Sequence, residues 1–170
     1  MVAAAMAPIT LLGGCSCSGN AHARASPTPT PAPSPTAPAF PKTSDGAAQF
    51  ARLYYAKYSQ ALHTGVTTEI RAMSDPVCAT CNARAAAIDR RTGTGAKFSG
   101  GTISVVYAAA PGFTGSQVTV TVIINQAKGT VVQSGRVIER IKPAVRRDDE
   151  VEVSWRSSGW IITAINTFSM

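Results

Sequence analysis

Residues 150–168 read EVEVSWRSSGWIITAINTF. Val151, Val153 and Trp155 alternate with Glu150, Glu152 and Ser154, the period of two that marks a half-buried strand. Ser157-Ser158-Gly159 supplies a turn, and Trp160 to Phe168 returns as a second strand. Such a hairpin has one apolar face to cover, so the chain upstream must supply a partner layer. More strands come first. Ile103, Val105 and Tyr107 share one parity, and Val118, Val120, Val122 and Ile124 alternate with Thr119 and Thr121. Residues 131–142 read as a further strand.

Before these strands the period is helical. Ser44 or Asp45 can cap a helix reaching about His63, with Phe50, Leu53, Tyr54, Tyr58, Ala61 and Leu62 on one stripe. Gly65 suits the left-handed position that ends it. A short helix is expected over Thr68 to Met73, stopping at Ser74-Asp75-Pro76, and a third from about Cys78 to Arg91. Helices followed by antiparallel strands predict an α+β fold, with N-terminal helices packed on a curved sheet of four to five strands.

Ala48-Gln49-Phe50-Ala51-Arg52-Leu53-Tyr54-Tyr55, then Thr64-Gly65, then Arg71 to Cys81, with Gly100-Gly101 further on, carry a resemblance. They are similar to an actinobacterial lipoprotein family known only as domain of unknown function 6318. The match is good over about residues 44–107 and looser beyond. The closing hairpin resembles the cone-shaped nuclear-transport-factor-2-like (NTF2-like, cystatin-like) fold. The resemblance implies architecture and address, and no activity.

The N-terminus fits that address. Residues 1–15 read MVAAAMAPITLLGGC, too short an apolar run to span a bilayer as a helix. Leu12-Gly13-Gly14-Cys15 resembles a bacterial lipobox. It implies a signal peptide over 1–14, cleavage between Gly14 and Cys15, and a diacylglyceryl group on the Cys15 thiol. Two acyl chains are what stable anchoring requires. No Lys or Arg precedes Arg24, which departs from the signal pattern; the expectation is a true start upstream. Residues 15–43 are expected to be a tether and 44–170 the globular domain. PTPTPAPSPTAPAFP, residues 27–41, holds seven of the chain's 11 prolines and favours extended polyproline II.

Cys78 and Cys81 form a C-x-x-C at the expected start of the third helix. Outside the cytoplasm the pair is expected as a disulfide stapling the bend after Pro76. Redox activity is the alternative, because a helix N-terminus lowers a thiol pKa, but thioredoxin-like motifs follow a strand. Zinc would need two further ligands, and the domain has one histidine and no other cysteine. No metal or cofactor is expected. Cys17 is left as a candidate free thiol in the tether.

The net charge is +7, from 16 Lys+Arg against 9 Asp+Glu. Such an excess serves solubility or, outside the cytoplasm, favours anionic headgroups and wall polymers, and does not by default mean nucleic acid. Arg136, Arg140 and Lys142 share strand parity, and Arg146 and Arg147 follow; they read as a solvated outer face or as one basic stripe, partly neutralised by Asp148, Asp149 and Glu150 beside it. A catalytic set is harder to find. His63 reads as a cation at a helix end. Asp45, Asp75, Asp89, Asp148 and Asp149 all read as helix starts, turns or a charged loop, with none in a strand facing the core. The expectation is a lipid-anchored extracytoplasmic protein that binds an envelope protein, wall polymer or small ligand without catalysis. The alternatives are an enzyme using a cone pocket, with His63 beside Asp75 or Asp89, and an apolar-ligand carrier.

Overall fold

The computed structural model describes residues 40–113, 115–157 and 159–168, apart from the side chains of residues 145 and 146. The expected signal peptide, Cys15, Cys17 and most of the tether lie outside the described residues. The elements run α1 (Ser44–Thr64), α2 (Thr68–Ala72), α3 (Ala79–Gly93), β1 (Lys97–Gly100), β2 (Ile103–Ala109), β3 (Gln117–Gln126), β4 (Gly129–Gln133), β5 (Arg136–Ile141), β6 (Ala144–Arg156) and β7 (Gly159–Phe168). The α+β order is the one expected. The sheet under the helices has four strands, within the four to five expected, and a second, three-stranded sheet is present besides among the described residues.

Phe50, Tyr54, Ala61 and Leu62 recur at helical spacing on α1, and all four are buried. The cap is Thr43 rather than Ser44 or Asp45. Its backbone is still extended (φ −140°, ψ 164°), and its hydroxyl accepts from the Gly46 N–H at 3.1 Å. Gly65, at φ 76°, closes the helix with its N–H on the Ala61 carbonyl.

β2-β3-β6-β7 form a four-stranded antiparallel sheet, and α1 packs over β2 and β3 while α3 packs near β7. Val118, Val120 and Val122 stand opposite Val153, Val151 and Asp149, and this buried row meets the helices. Tyr107, expected inward with Ile103 and Val105, is exposed. A register shift between Val105 and Tyr107 puts Ala108 inside instead. The β7 edge is covered by the chain between α2 and α3: the Asp75 N–H donates to the Ile162 carbonyl at 2.8 Å, and the Ile162 N–H to Met73 at 3.0 Å.

β1-β4-β5 form the smaller sheet. Residues 131–142 are therefore two strands' worth of chain, not one. Ser134 (φ 49°) and Gly135 (φ 77°) both take the left-handed conformation and fold β4 back on β5 in a two-residue turn. The ladder passes between the sheets through Gly101 N–H to Lys128 (3.0 Å) and Ala127 N–H to Thr102 (2.9 Å). A Cβ on Gly129 would sit 2.4 Å from the Gly101 nitrogen, so this crossing needs glycine.

Phe40 to Thr43, read from sequence as the end of the tether, are part of the folded unit. The Phe40 ring meets Phe50 edge-on at 6.0 Å, and the Pro41 carbonyl accepts from the Trp160 indole N–H at 2.9 Å. An aromatic ring and an indole donor outweigh the proline composition here. Trp160 in turn packs edge-on against Trp155 and Phe113.

Candidate functional site

The chemically loaded part of the interior lies where α1, α3 and β6 meet. Asp149 is fully buried, which corrects its reading as part of a charged loop. Its Oδ2 accepts from the Tyr55 hydroxyl at 2.5 Å and from the Arg84 guanidinium at 2.9 Å. Its Oδ1 faces Arg147 Nε at 3.4 Å. Arg84 also lies over the rings of Tyr55 (5.4 Å) and Tyr58 (5.2 Å). Tyr54 packs edge-on against Tyr55 and stacks with Tyr58.

The electrostatics follow from burial. Burial pushes the Tyr55 phenol well above its ordinary range, and adjacent Asp149 adds to this while Arg84 opposes it. Tyr54 is raised in the same way, by burial first, with Arg84 opposing. For Arg84, burial disfavours the charge, but the oxygens of Tyr55, Tyr54 and Asp149 more than offset it and hold the guanidinium protonated. The node is thus a neutral phenol and a charged pair in fixed contact. Oδ2 of its carboxylate is occupied by two donors, Oδ1 has no hydrogen-bond partner, and the node ties three elements together.

The sequence missed this node, yet a signal was present. Asp149 shares the parity of Val151 and Val153, and Arg84 lies three residues from Cys81 and four from Ile88, both buried.

His63 lies in the last turn of α1, as expected. Its Nδ1 lies 2.7 Å from the Ser59 carbonyl and its Nε2 3.0 Å from that of Gly100, so it joins α1 to β1. Asp75 and Asp89 are paired elsewhere, with Arg156 (3.1 Å) and Arg71 (2.6 Å). A cleft of about 250 Å³ runs past His63, lined also by Thr92, Gly95 and Lys97. It brings His63 no carboxylate.

Cys78 and Cys81 are joined in a disulfide, S–S 2.05 Å and Cα–Cα 5.3 Å. Cys78 is the N-cap of α3, one residue before the helix, and both sulfurs are buried. Asp75 braces the same turn through the Val77 N–H at 3.0 Å. Among the described residues, no group of three or more His, Cys, Asp or Glu is placed to hold a metal ion. No described helix is long and apolar enough to cross a membrane.

The expected basic stripe is divided. A register shift between Val131 and Val132 sets Arg136 opposite Gln133 but Arg140 opposite Thr130, which places the two arginines on opposite faces of the small sheet. Arg147 turns to Asp149 instead. The Arg146 side chain lies outside the described residues. Arg140 and Lys142 stay together, and they line a cleft of about 430 Å³ with Lys128, Ser99 and Thr130.

Helices over an antiparallel sheet, with a second sheet continuing its ladder, define an α+β protein. The chain belongs to the family of unknown function DUF6318, whose model matches residues 19–166. No curated protein matches it. Among solved structures it is similar to the intermembrane space region of chloroplast protein ARC6, with a TM-score of 0.57 and 13% identity, covering 75% of this chain and 97% of that one. It is also similar to an NTF2-like protein with a cystatin-like fold from Novosphingobium aromaticivorans. That match has a TM-score of 0.45 and 12% identity, covering 71% of this chain and 80% of the other.

Proposed function

We propose that this chain is a lipid-tethered extracytoplasmic module that acts by binding a partner, not by catalysis. The observation that carries the binding reading is the filled interior. Tyr54, Tyr55, Ile70 and Ile88 are buried between helices and sheet, and Tyr55, Arg84 and Asp149 Oδ2 are bonded to one another, while the Tyr54 hydroxyl and Asp149 Oδ1 have no hydrogen-bond partner. A working acid–base pair needs a reacting atom within hydrogen-bond reach, and Asp149 is sealed from solvent with its Oδ2 already engaged by Tyr55 and Arg84. The address rests on the Leu12–Cys15 lipobox. The fold is compatible with a place beside membranes, since a similar one forms the intermembrane space region of ARC6.

Two measurements test the reading. In a native-like host the wild type partitions with membranes and Cys15→Ala does not; soluble, unlipidated wild type overturns the address. The native protein does not take up an apolar fluorophore stoichiometrically. Saturable one-to-one uptake overturns the filled interior and favours an apolar-ligand carrier.

A further inference from the structure

We infer that the outer face of the small sheet is a binding site for phosphate groups carried on an extended anionic polymer. Ser99, Thr130 and Arg140 are aligned across β1, β4 and β5 by the strand register, giving two hydroxyls and a guanidinium in one row. Adjacent strands lie about 4.8 Å apart, so the row offers donors across roughly 10 Å. Lys128 and Lys142 flank it, and the five residues line one open cleft of about 430 Å³. No acidic side chain lines that cleft. Glu139, the nearest in sequence, is on the opposite face, where it pairs with Arg91 at 2.8 Å.

Of the described cations without an ion pair (Lys42, Arg52, Arg90, Lys97, Lys128, Arg136, Arg140 and Lys142), three line this one cleft. Lys57, Arg71, Arg84, Arg91, Arg147 and Arg156 all have carboxylate partners. Lys128, Arg140 and Lys142 have no ion pair or side-chain hydrogen bond among the described residues. Two hydroxyls and a guanidinium in one row, with a lysine on either side, suit a tetrahedral oxyanion, which can accept from several directions at once. Lys97, in the next row of the same face, extends the positive surface along the sheet toward a second anionic group on the same chain.

The experiment uses the full chain in unlipidated form and poly(glycerol phosphate) as probe, with binding followed by calorimetry. Arg140→Ala/Lys142→Ala weakens binding about tenfold or more and flattens its salt dependence between about 50 and 200 mM. Arg90→Ala/Arg136→Ala removes the same charge from other exposed sites and weakens binding less than about threefold. Ser99→Ala/Thr130→Val leaves the charge unchanged and still weakens binding by about threefold. Equal losses in both charge variants, with none in the hydroxyl variant, mean a diffuse field and overturn the site. Tighter binding to phosphatidylglycerol vesicles than to the polymer overturns it in favour of a bilayer. Equal binding to polyglutamate overturns the preference for phosphate. No polymer binding by the wild type overturns the inference outright. The inference rests on the binding-module reading, and the two fail separately: only soluble wild type or one-to-one fluorophore uptake counts against that reading.

Discussion

The two sheets treat charge in opposite ways. In the four-stranded sheet, Asp149 is sealed from solvent and held by Arg84 and Tyr55. In the three-stranded sheet, Arg140, Lys142 and Lys128 border open solvent. A buried pair adds little net stability over an apolar pair, yet losing one partner strands a charge in a dry interior. An exposed cation can leave without consequence for the fold. Inner charge therefore constrains architecture, and outer charge is free to serve contact.

The largest expected effect tests the inner half of this contrast. Arg84→Ala lowers the unfolding free energy by about 3–5 kcal/mol in urea denaturation, because Asp149 loses the closer of its two cations and keeps only Arg147 at 3.4 Å. Arg84→Met with Asp149→Leu recovers most of that loss. If Arg84→Ala costs no more than a surface substitution, the contrast fails. The phenol adds a pH test. Tyr55 is raised above the ordinary value of 10.0, so its neutral form is favoured in the fold. Its contribution is complete below pH 10 and is lost as pH rises toward the raised value, and Tyr55→Phe should flatten that alkaline fall.

The disulfide comes next. Cys78→Ser/Cys81→Ser should cost about 2 kcal/mol in the chain-entropy account, since the closed loop is short. Complete unfolding of this variant would show that the bend it staples matters more than the node.

Phe40→Ala should cost about 1–2 kcal/mol, because the ring is half-buried against Phe50. Deleting residues 20–35 should leave the melting temperature unchanged, whereas deletion through Pro41 lowers it. Equal melting of both deletions would return the domain boundary to Ser44.

The smallest effect is on the outer sheet. Arg140→Ala/Lys142→Ala should change stability by less than about 0.5 kcal/mol while altering polymer binding. A large stability loss would show that these cations do structural work and blur the contrast.

What the sequence revealed tracks how local each signal is. Val118 to Ile124 announce a strand by alternation alone, and Gly65 ends its helix for a reason visible in one residue. Asp149 was hidden because Arg146-Arg147-Asp148-Asp149-Glu150 is polar throughout. Only its parity with Val151 pointed inward, and its partners are 65 and 94 residues away. The basic surface was misread for a related cause. Parity fails across a bulge, and Ser99, Thr130 and Lys128 reach Arg140 only through strand pairing.

The Pro41 carbonyl on Trp160 has a mechanical meaning. A pull on the segment before Phe40 enters the domain at two points: the start of α1 through Thr43, and the β6–β7 hairpin through Trp160. The load is shared between a helix and a sheet whose strands pair over most of their length. To peel α1 away, a force must first strip Phe40 from Phe50 and the Pro41 carbonyl from its indole. On the proposed tether reading, that short clasp works as a strain relief, meeting tension before it reaches the helix.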